Sequence, residues 1–238
     1  MSAPAAIVIQ ARMGSTRLPG KSLVPIAGRT LLARVVERMA FRSGLPVVVA
    51  TTTLLEDDLL VDEADRLGVP VLRGSADDVL GRYAFAASLL GTPAIIRATA
   101  DNPAVDMDSP LRTLGILLRS GADYVVDYGL PLGATVEAIA MPALVRAAAL
   151  ATDPYDREHV TPFIRRDGRS RAVDALAPSD LRRPDLRFTV DTAEDLDFMR
   201  RVYHEAGPSA EPWPLAALIA AADRVRPPLE LDQTEAGR

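Results

Sequence analysis

Residues 6–22 read AIVIQARMGSTRLPGKS. The opening AIVIQ is a short apolar run followed by turn-forming residues, the pattern of a buried strand. The stretch after it, Ala11 to Ser22, combines Gly14 and Gly20 with Arg12, Arg17 and Lys21. Glycines let backbone N–H groups turn toward an anion, and three nearby cations match a polyphosphate. The competing reading is an ordinary surface loop. A Walker-type P-loop does not fit. Ser15 to Ser22 nearly spells it, but Ser15 replaces the first glycine, and from Gly14 the spacing is one residue too long. A P-loop also runs straight into a helix. Here Pro25 and Gly28 follow Lys21 closely, so the helix begins only after Arg29.

From this segment the alternation of strand and helix continues outward. Leu31 to Arg42 carries a helical apolar stripe, Leu45 to Ala50 reads as a strand, and Glu56 to Leu67 as a helix ended by Gly68. Val69 to Leu72 is a strand, Asp77 to Leu90 a helix, Ala94 to Ala98 a strand, Ser109 to Arg119 a helix and Tyr124 to Val126 a strand. This order predicts an α/β fold with an open, mostly parallel sheet and helices on both faces. Ligands of such sheets sit at the carboxyl ends of the strands, so the loops after Gln10, Ala50, Leu72 and Ala98 are expected to line one site. The second half is less regular. Strands are expected at Thr135 to Ala140, Arg171 to Leu176 and Leu186 to Val190, and helices at Pro142 to Ala151, Asp156 to Arg166, Thr192 to Glu205 and Pro214 to Arg224. Thr192 is the expected N-cap, with Asp195 as its acidic partner. No linker divides the chain, so residues 1–226 read as one domain and the polar stretch Pro227 to Arg238 as a tail.

Composition narrows the function. The 238 residues are 48% hydrophobic, enough for a core and against global disorder. There is no cysteine, which excludes disulfides, thiolate metal sites and a Cys nucleophile. A net charge of −5 argues against nucleic acid as the partner. No signal segment or apolar run of about 18–20 residues is visible, so a cytoplasmic protein without membrane attachment is expected. Lys plus Arg total 27, and Lys21 is the single lysine among them. A codon bias toward arginine explains most of that skew, not the exception. An ammonium is a point-charge phosphate ligand that the planar arginine fork imitates poorly.

The segment IVIQARMGSTRLPGKSL, followed by PIAGRTLL, VATTTLLEDDLL, VLRGSADDVLGRY, IIRATADNPAVD, GATVEAI, DREHVTPFIR and FTVDTAEDLDF, resembles the sugar-activating cytidylyltransferases. These act on 3-deoxy-manno-octulosonate and nonulosonic acids. The likeness is closest to the branch typified by spore-coat polysaccharide synthesis proteins, and its blocks run in order from about residue 6 to 200. It implies a three-layer αβα, Rossmann-like sheet of the nucleotide-diphospho-sugar transferase type. It also implies CTP as donor, an anionic sugar-like acceptor, Mg²⁺, pyrophosphate release and, since relatives are commonly dimers, a possible homodimer.

Candidate site residues follow from both readings. Asp101 stands just past a strand end, before Asn102-Pro103, where the choice from residues alone is a turn residue or a metal ligand. Asp191 follows an apolar strand, and Thr192 is available to cap the next helix. The resemblance makes Asp101 and Asp191 the Mg²⁺ pair, a hard-oxygen set that phosphate oxygens and water would complete. Lys21, Arg12 and Asp101 are the expected catalytic groups. Ala11, Arg12, Gly14, Ser15, Arg17 and Lys21 would contact the nucleotide, and by resemblance so would Arg73 and Ser75. Residues Asp77 and Asp78 also suit a plain helix start. Arg97, charged within an apolar strand, either pairs with an acid or serves the site. His159 either touches the acceptor or merely caps and packs, whereas His204 falls on a surface helix. Glu137 is an acceptor-side residue by resemblance.

The expected reaction is attack of an acceptor oxygen on the α-phosphorus of CTP, in line with departing pyrophosphate, in surface polysaccharide or glycoconjugate synthesis. It depends on positioning and charge neutralisation, with Mg²⁺ favouring the deprotonated acceptor. Two rivals stand beside it: a nucleotide-sugar-dependent glycosyltransferase, for which Asp106-Met107-Asp108 supplies a D-x-D, and a non-catalytic nucleotide-binding module. The triphosphate's greater need for positive charge favours the nucleotidyltransferase.

Overall fold

The computed structural model describes residues 3–225, and the expected tail from Pro227 lies outside them. β1 (Ala6–Gln10) leads into the basic loop. A hairpin of β2 (Pro25–Ile26) and β3 (Arg29–Thr30) then precedes α1 (Leu31–Ala40). Its turn has Ala27 and Gly28 both at positive φ, 48° and 78°, the geometry of a tight two-residue hairpin. That hairpin separates Lys21 from the helix, as the sequence requires. Alternation continues through β4 (Val47–Thr52), α2 (Asp58–Arg66), β5 (Val71–Gly74), α3 (Val79–Leu90), β6 (Ala94–Thr99), α4 (Ser109–Ser120) and β7 (Tyr124–Tyr128). The second half adds β8 (Glu137–Ala140), α5 (Met141–Leu150), α6 (Pro154–His159), α7 (Pro162–Arg166), β9 (Ala172–Leu176), α8 (Ala193–Ala206) and α9 (Leu215–Val225).

Seven strands form one sheet in the order β5-β4-β1-β6-β8-β7-β9. Only β8 runs antiparallel to its neighbours. The fold is thus the expected Rossmann-like α/β sheet. Side chains alternate across β1: Ile7 and Ile9 join one core with α1, α2 and α4, while Val8 joins the opposite core with α3 and α5. A third core gathers Phe188, Val190 and Trp213 under α8 and α9. The chain passes from β1 outward to β4 and β5, then returns to β6 on the other side of β1. The order therefore reverses between β1 and β6, where Gln10 faces Thr99 in register. A crevice opens at the carboxyl ends of such a pair.

Two expected elements differ. Leu186 to Val190 is extended but makes only one bridge, Arg187 to Leu132. Its backbone groups find single partners, with Phe188 N–H on Leu132 O at 2.7 Å and Val190 N–H on Asp101 O at 2.8 Å. Asp156 to Arg166 is two helices, not one. Val160 breaks it at φ 70°, and Pro162 then starts the next turn. Among the described residues no helix is long and apolar enough to cross a membrane.

Candidate active site

The crevice is a cavity of about 350 Å³ lined by the loop after β1, the end of β6, Glu158, His159 and Asp191. Lys21 lies at its centre. Its Nζ donates to Asp101 Oδ2 at 2.9 Å, Asp191 Oδ1 at 2.9 Å and Val190 O at 3.0 Å, so all three protons are directed. A backbone bond from Val190 N–H to Asp101 O ties the two acidic segments together. The remaining carboxylate oxygens are held as well: Thr99 Oγ1 donates to Asp101 Oδ1 at 2.6 Å and Arg187 Nη2 to Asp191 Oδ2 at 2.7 Å. Arg17, largely exposed, stands 3.3 Å from Asp191. Burial by itself would raise the Asp191 carboxyl, but Lys21, Arg17 and Arg187 outweigh it and hold that carboxyl below the usual range. Arg12 reaches Glu158 Oε1 at 3.2 Å, with both side chains about half exposed. Within the loop Gly20, at φ 70°, lets the chain turn back so that its N–H meets Met13 O at 3.1 Å.

A second cavity of about 510 Å³ adjoins the first, and Arg97, Thr99, Asp101, His159 and Asp191 line both. Its inner wall is an ionic group on β6 and β8. Arg97 pairs with Glu137 Oε2, while Tyr124 Oη and Thr161 Oγ1 donate to Glu137 Oε1 at 2.6 and 2.9 Å. Arg165 and Arg187 also line this cavity. Burial would raise the Glu137 carboxyl, yet Arg97, Tyr124 and Thr161 together leave it lowered.

This arrangement is two carboxylates and an ammonium at the switch point of a mostly parallel sheet, flanked by the exposed arginines Arg12 and Arg17. A sequence model of cytidylyltransferases matches residues 6–211. The chain belongs to the cytidylyltransferase family. It is 36% identical over 211 residues to the spore coat polysaccharide biosynthesis protein SpsF of Bacillus subtilis, covering 84% of this chain and 86% of that one. It is 31% identical over 173 residues to a 3-deoxy-manno-octulosonate cytidylyltransferase of Idiomarina loihiensis, covering 64% of each. Among solved structures, a cytidylyltransferase from Leptospira borgpetersenii superposes with a TM-score of 0.85 over 93% of this chain and 94% of that one, at 28% identity. The protein is accordingly a nucleotidyltransferase.

In this cytidylyltransferase the cleft gathers Ala11, Arg12, Ser15, Arg17, Lys21, Asp101, His159 and Asp191. Glu137 lines the second cavity. Gly14, within the same loop, lines neither cavity, and a Cβ there would come 3.1 Å from Glu56 Oε1. Arg73 and Ser75 line neither cavity. β5 runs two residues further than expected. Arg73 is spent joining it to the turn after β4, through Thr52 O at 2.8 Å, Leu54 O at 2.9 Å and Asp58 at 2.6 Å. Ser75 Oγ accepts from Asp77 N at 3.3 Å. The loops after β4 and β5 lie on the far side of the switch point, which is why only those after β1 and β6 meet. The D-x-D reading also falls away from the site. Asp106 is buried against Arg112, and Asp108 sits at the start of α4 outside both cavities.

Sequence reasoning missed Glu158, the partner of Arg12, and Thr99, which orients Asp101. Thr99 was findable, standing two residues before Asp101 at the strand end. A larger cavity of about 830 Å³ beside Arg34, Tyr203 and Trp213 contains none of the site residues.

Proposed function

We propose that this cytidylyltransferase transfers CMP from CTP to an anionic sugar-like acceptor, with release of pyrophosphate, in surface polysaccharide or glycoconjugate synthesis. The observation that carries the reading is Lys21 seated between Asp101 and Asp191, with Arg12 and Arg17 at the cleft mouth and a polar second cavity alongside. Lys21, Arg12 and Arg17 neutralise the phosphates. The acceptor occupies the second cavity, where Arg97, Arg165 and Arg187 suit an anion and Thr135, Thr189 and Asn102 suit hydroxyls. The names of the SpsF and octulosonate relatives support a sugar acceptor of this kind.

Two carboxylates converging on one ammonium are a hard-oxygen donor pair of the type Mg²⁺ takes. No third acidic or histidine side chain completes a cluster among the described residues, so phosphate oxygens and water would fill the shell. Asp101 and Asp191 would hold the ion, which would neutralise phosphate charge and favour the deprotonated acceptor. The chain's own residues position the triphosphate for in-line attack and screen its charge. The test is pyrophosphate release with each of the four nucleoside triphosphates and Mg²⁺ across a panel of sugar acids and neutral sugars. Release with CTP and an acidic sugar is expected. Silence with CTP throughout, beside sugar transfer from a nucleotide-sugar donor, refutes it.

A further inference from the structure

Transfer to a hydroxyl liberates a proton, and the two cavities hold few groups able to accept it. Every carboxylate lining them is already matched to a cation: Asp101 and Asp191 to Lys21, Glu158 to Arg12, Glu137 to Arg97. Arginine and threonine are not bases at neutral pH. Tyr124 is engaged through its hydroxyl with Glu137, and burial raises its phenol further. One titratable side chain in either cavity has no hydrogen bond or ion pair among the described residues. It is His159, whose ring touches only that of Tyr155, with centroids 4.3 Å apart. It is also one of the five residues shared by both cavities, the boundary at which, on the acceptor reading above, the acceptor oxygen would meet the α-phosphorus.

The segment around it is built to hold it there. In Asp156-Arg157-Glu158-His159-Val160-Thr161, four side chains face the scaffold. Asp156 is buried on Arg166, Arg157 binds Asp78 and Ala148 O, Val160 is in the core, and Thr161 donates to Glu137. Val160 at φ 70° turns the chain between the two groups. Only Glu158 and His159 are left to the cleft.

Resting on the acceptor reading above, we propose that His159 is the general base of the reaction. The acceptor hydroxyl oxygen forms its bond to the α-phosphorus as the bond from that phosphorus to the bridging oxygen breaks. Pyrophosphate leaves with the electron pair, and the hydroxyl proton passes to the imidazole. Charged neighbours lining the same cavities are Arg12 with Glu158, Arg97 with Glu137, Lys21 with Asp101 and Asp191, and the further arginines Arg17, Arg165 and Arg187.

The experiment uses the full chain, CTP, Mg²⁺ and the panel acceptor giving the fastest wild-type pyrophosphate release. His159→Gln and His159→Ala are expected to lower kcat on the order of 10²- to 10⁴-fold while KM for CTP changes less than about threefold. The ionisation on the acid limb of the kcat profile is expected to vanish, and added imidazole to restore part of the His159→Ala rate. His204→Gln, which removes the chain's other histidine, is the control and keeps wild-type rates. A kcat within about threefold of wild type, or a loss confined to the acceptor's KM, overturns the base assignment and leaves the transferase reading standing. Wild-type silence with every acceptor overturns that reading, and this proposal with it.

Discussion

Glu137→Gln isolates the ion pair at the inner wall of the second cavity. The substitution keeps the shape and leaves an oxygen for Tyr124 and Thr161, but removes the charge opposite Arg97. Arg97 and Glu137 are only 18% and 14% exposed, so a charge left alone there is poorly solvated. Breaking a buried pair by removing one partner costs about 3–5 kcal/mol. The retained amide dipole and the residual exposure put this case near the lower end, about 3 kcal/mol. For a chain of this size that corresponds to a fall in Tm of about 6–12 °C, at about 2–4 °C per kcal/mol. Urea unfolding and calorimetry at pH 7 measure it. A second signature comes from linkage. The folded carboxyl lies below its unfolded value of about 4.3, so its contribution is present above that pH and is lost as the pH falls through the folded value. The gap between wild type and variant should therefore be full at neutral pH and close progressively below about pH 4. Replacing Arg97 by Met in the Glu137→Gln background should recover part of the loss, since it removes the orphaned charge. A gap under about 1 kcal/mol at pH 7, or one that stays constant from pH 6 to pH 3, refutes the reasoning.

Lys21→Arg is expected to lose at least about 10²-fold in pyrophosphate release despite keeping the charge, because the planar fork cannot serve three diverging acceptors. Retention within about threefold would show that charge alone suffices. Asp108→Ala should leave turnover within about threefold of wild type, whereas a D-x-D glycosyltransferase would be silenced. Gly133→Ala should lower stability by about 1–3 kcal/mol and raise the acceptor's KM, read by melting and steady-state kinetics. Gly133 is at φ 91°, and a Cβ there would lie 2.6 Å from Thr189 N and 2.9 Å from Asn102 Oδ1, on the cavity wall.

Periodicity and caps were enough to read the sheet and most helices, because they report local facts. The Thr192 hydroxyl accepts from Asp195 N at 3.2 Å, and the Asp195 carboxylate accepts from Thr192 N at 3.0 Å, the expected capping box. Leu186 to Val190 shows where such reasoning stops. Its apolar residues are buried as expected, but burial does not reveal whether a neighbouring strand exists to pair with. The same limit applies to Arg73 and Ser75, which line neither cavity. Which strand ends border the cleft depends on the side of β1 on which each strand lies, and that is a long-range fact. Val160's positive φ is likewise imposed from outside. Thr161 and Asp156 are anchored to different elements, and the residues between them must turn to satisfy both.

The position of Lys21 carries the same distinction to the centre of the cleft. Codon bias accounts for an arginine-rich chain, and many pairs here tolerate it, since a bidentate fork suits Arg183 on the exposed Asp185 or Arg166 on the buried Asp156. At residue 21 the acceptors are two carboxylates and a carbonyl from two segments, Asp101 on one and Val190 with Asp191 on the other, all within 3.0 Å of one nitrogen. That geometry asks for a compact tetrahedral donor, which only an ammonium supplies. An incoming phosphate that competes with Asp101 and Asp191 for those protons meets a cation already centred between the acids that would hold the metal. On the proposed reading the lysine would pass from carboxylate to phosphate by rotation about its own side chain, a move that suits one compact nitrogen better than a planar fork.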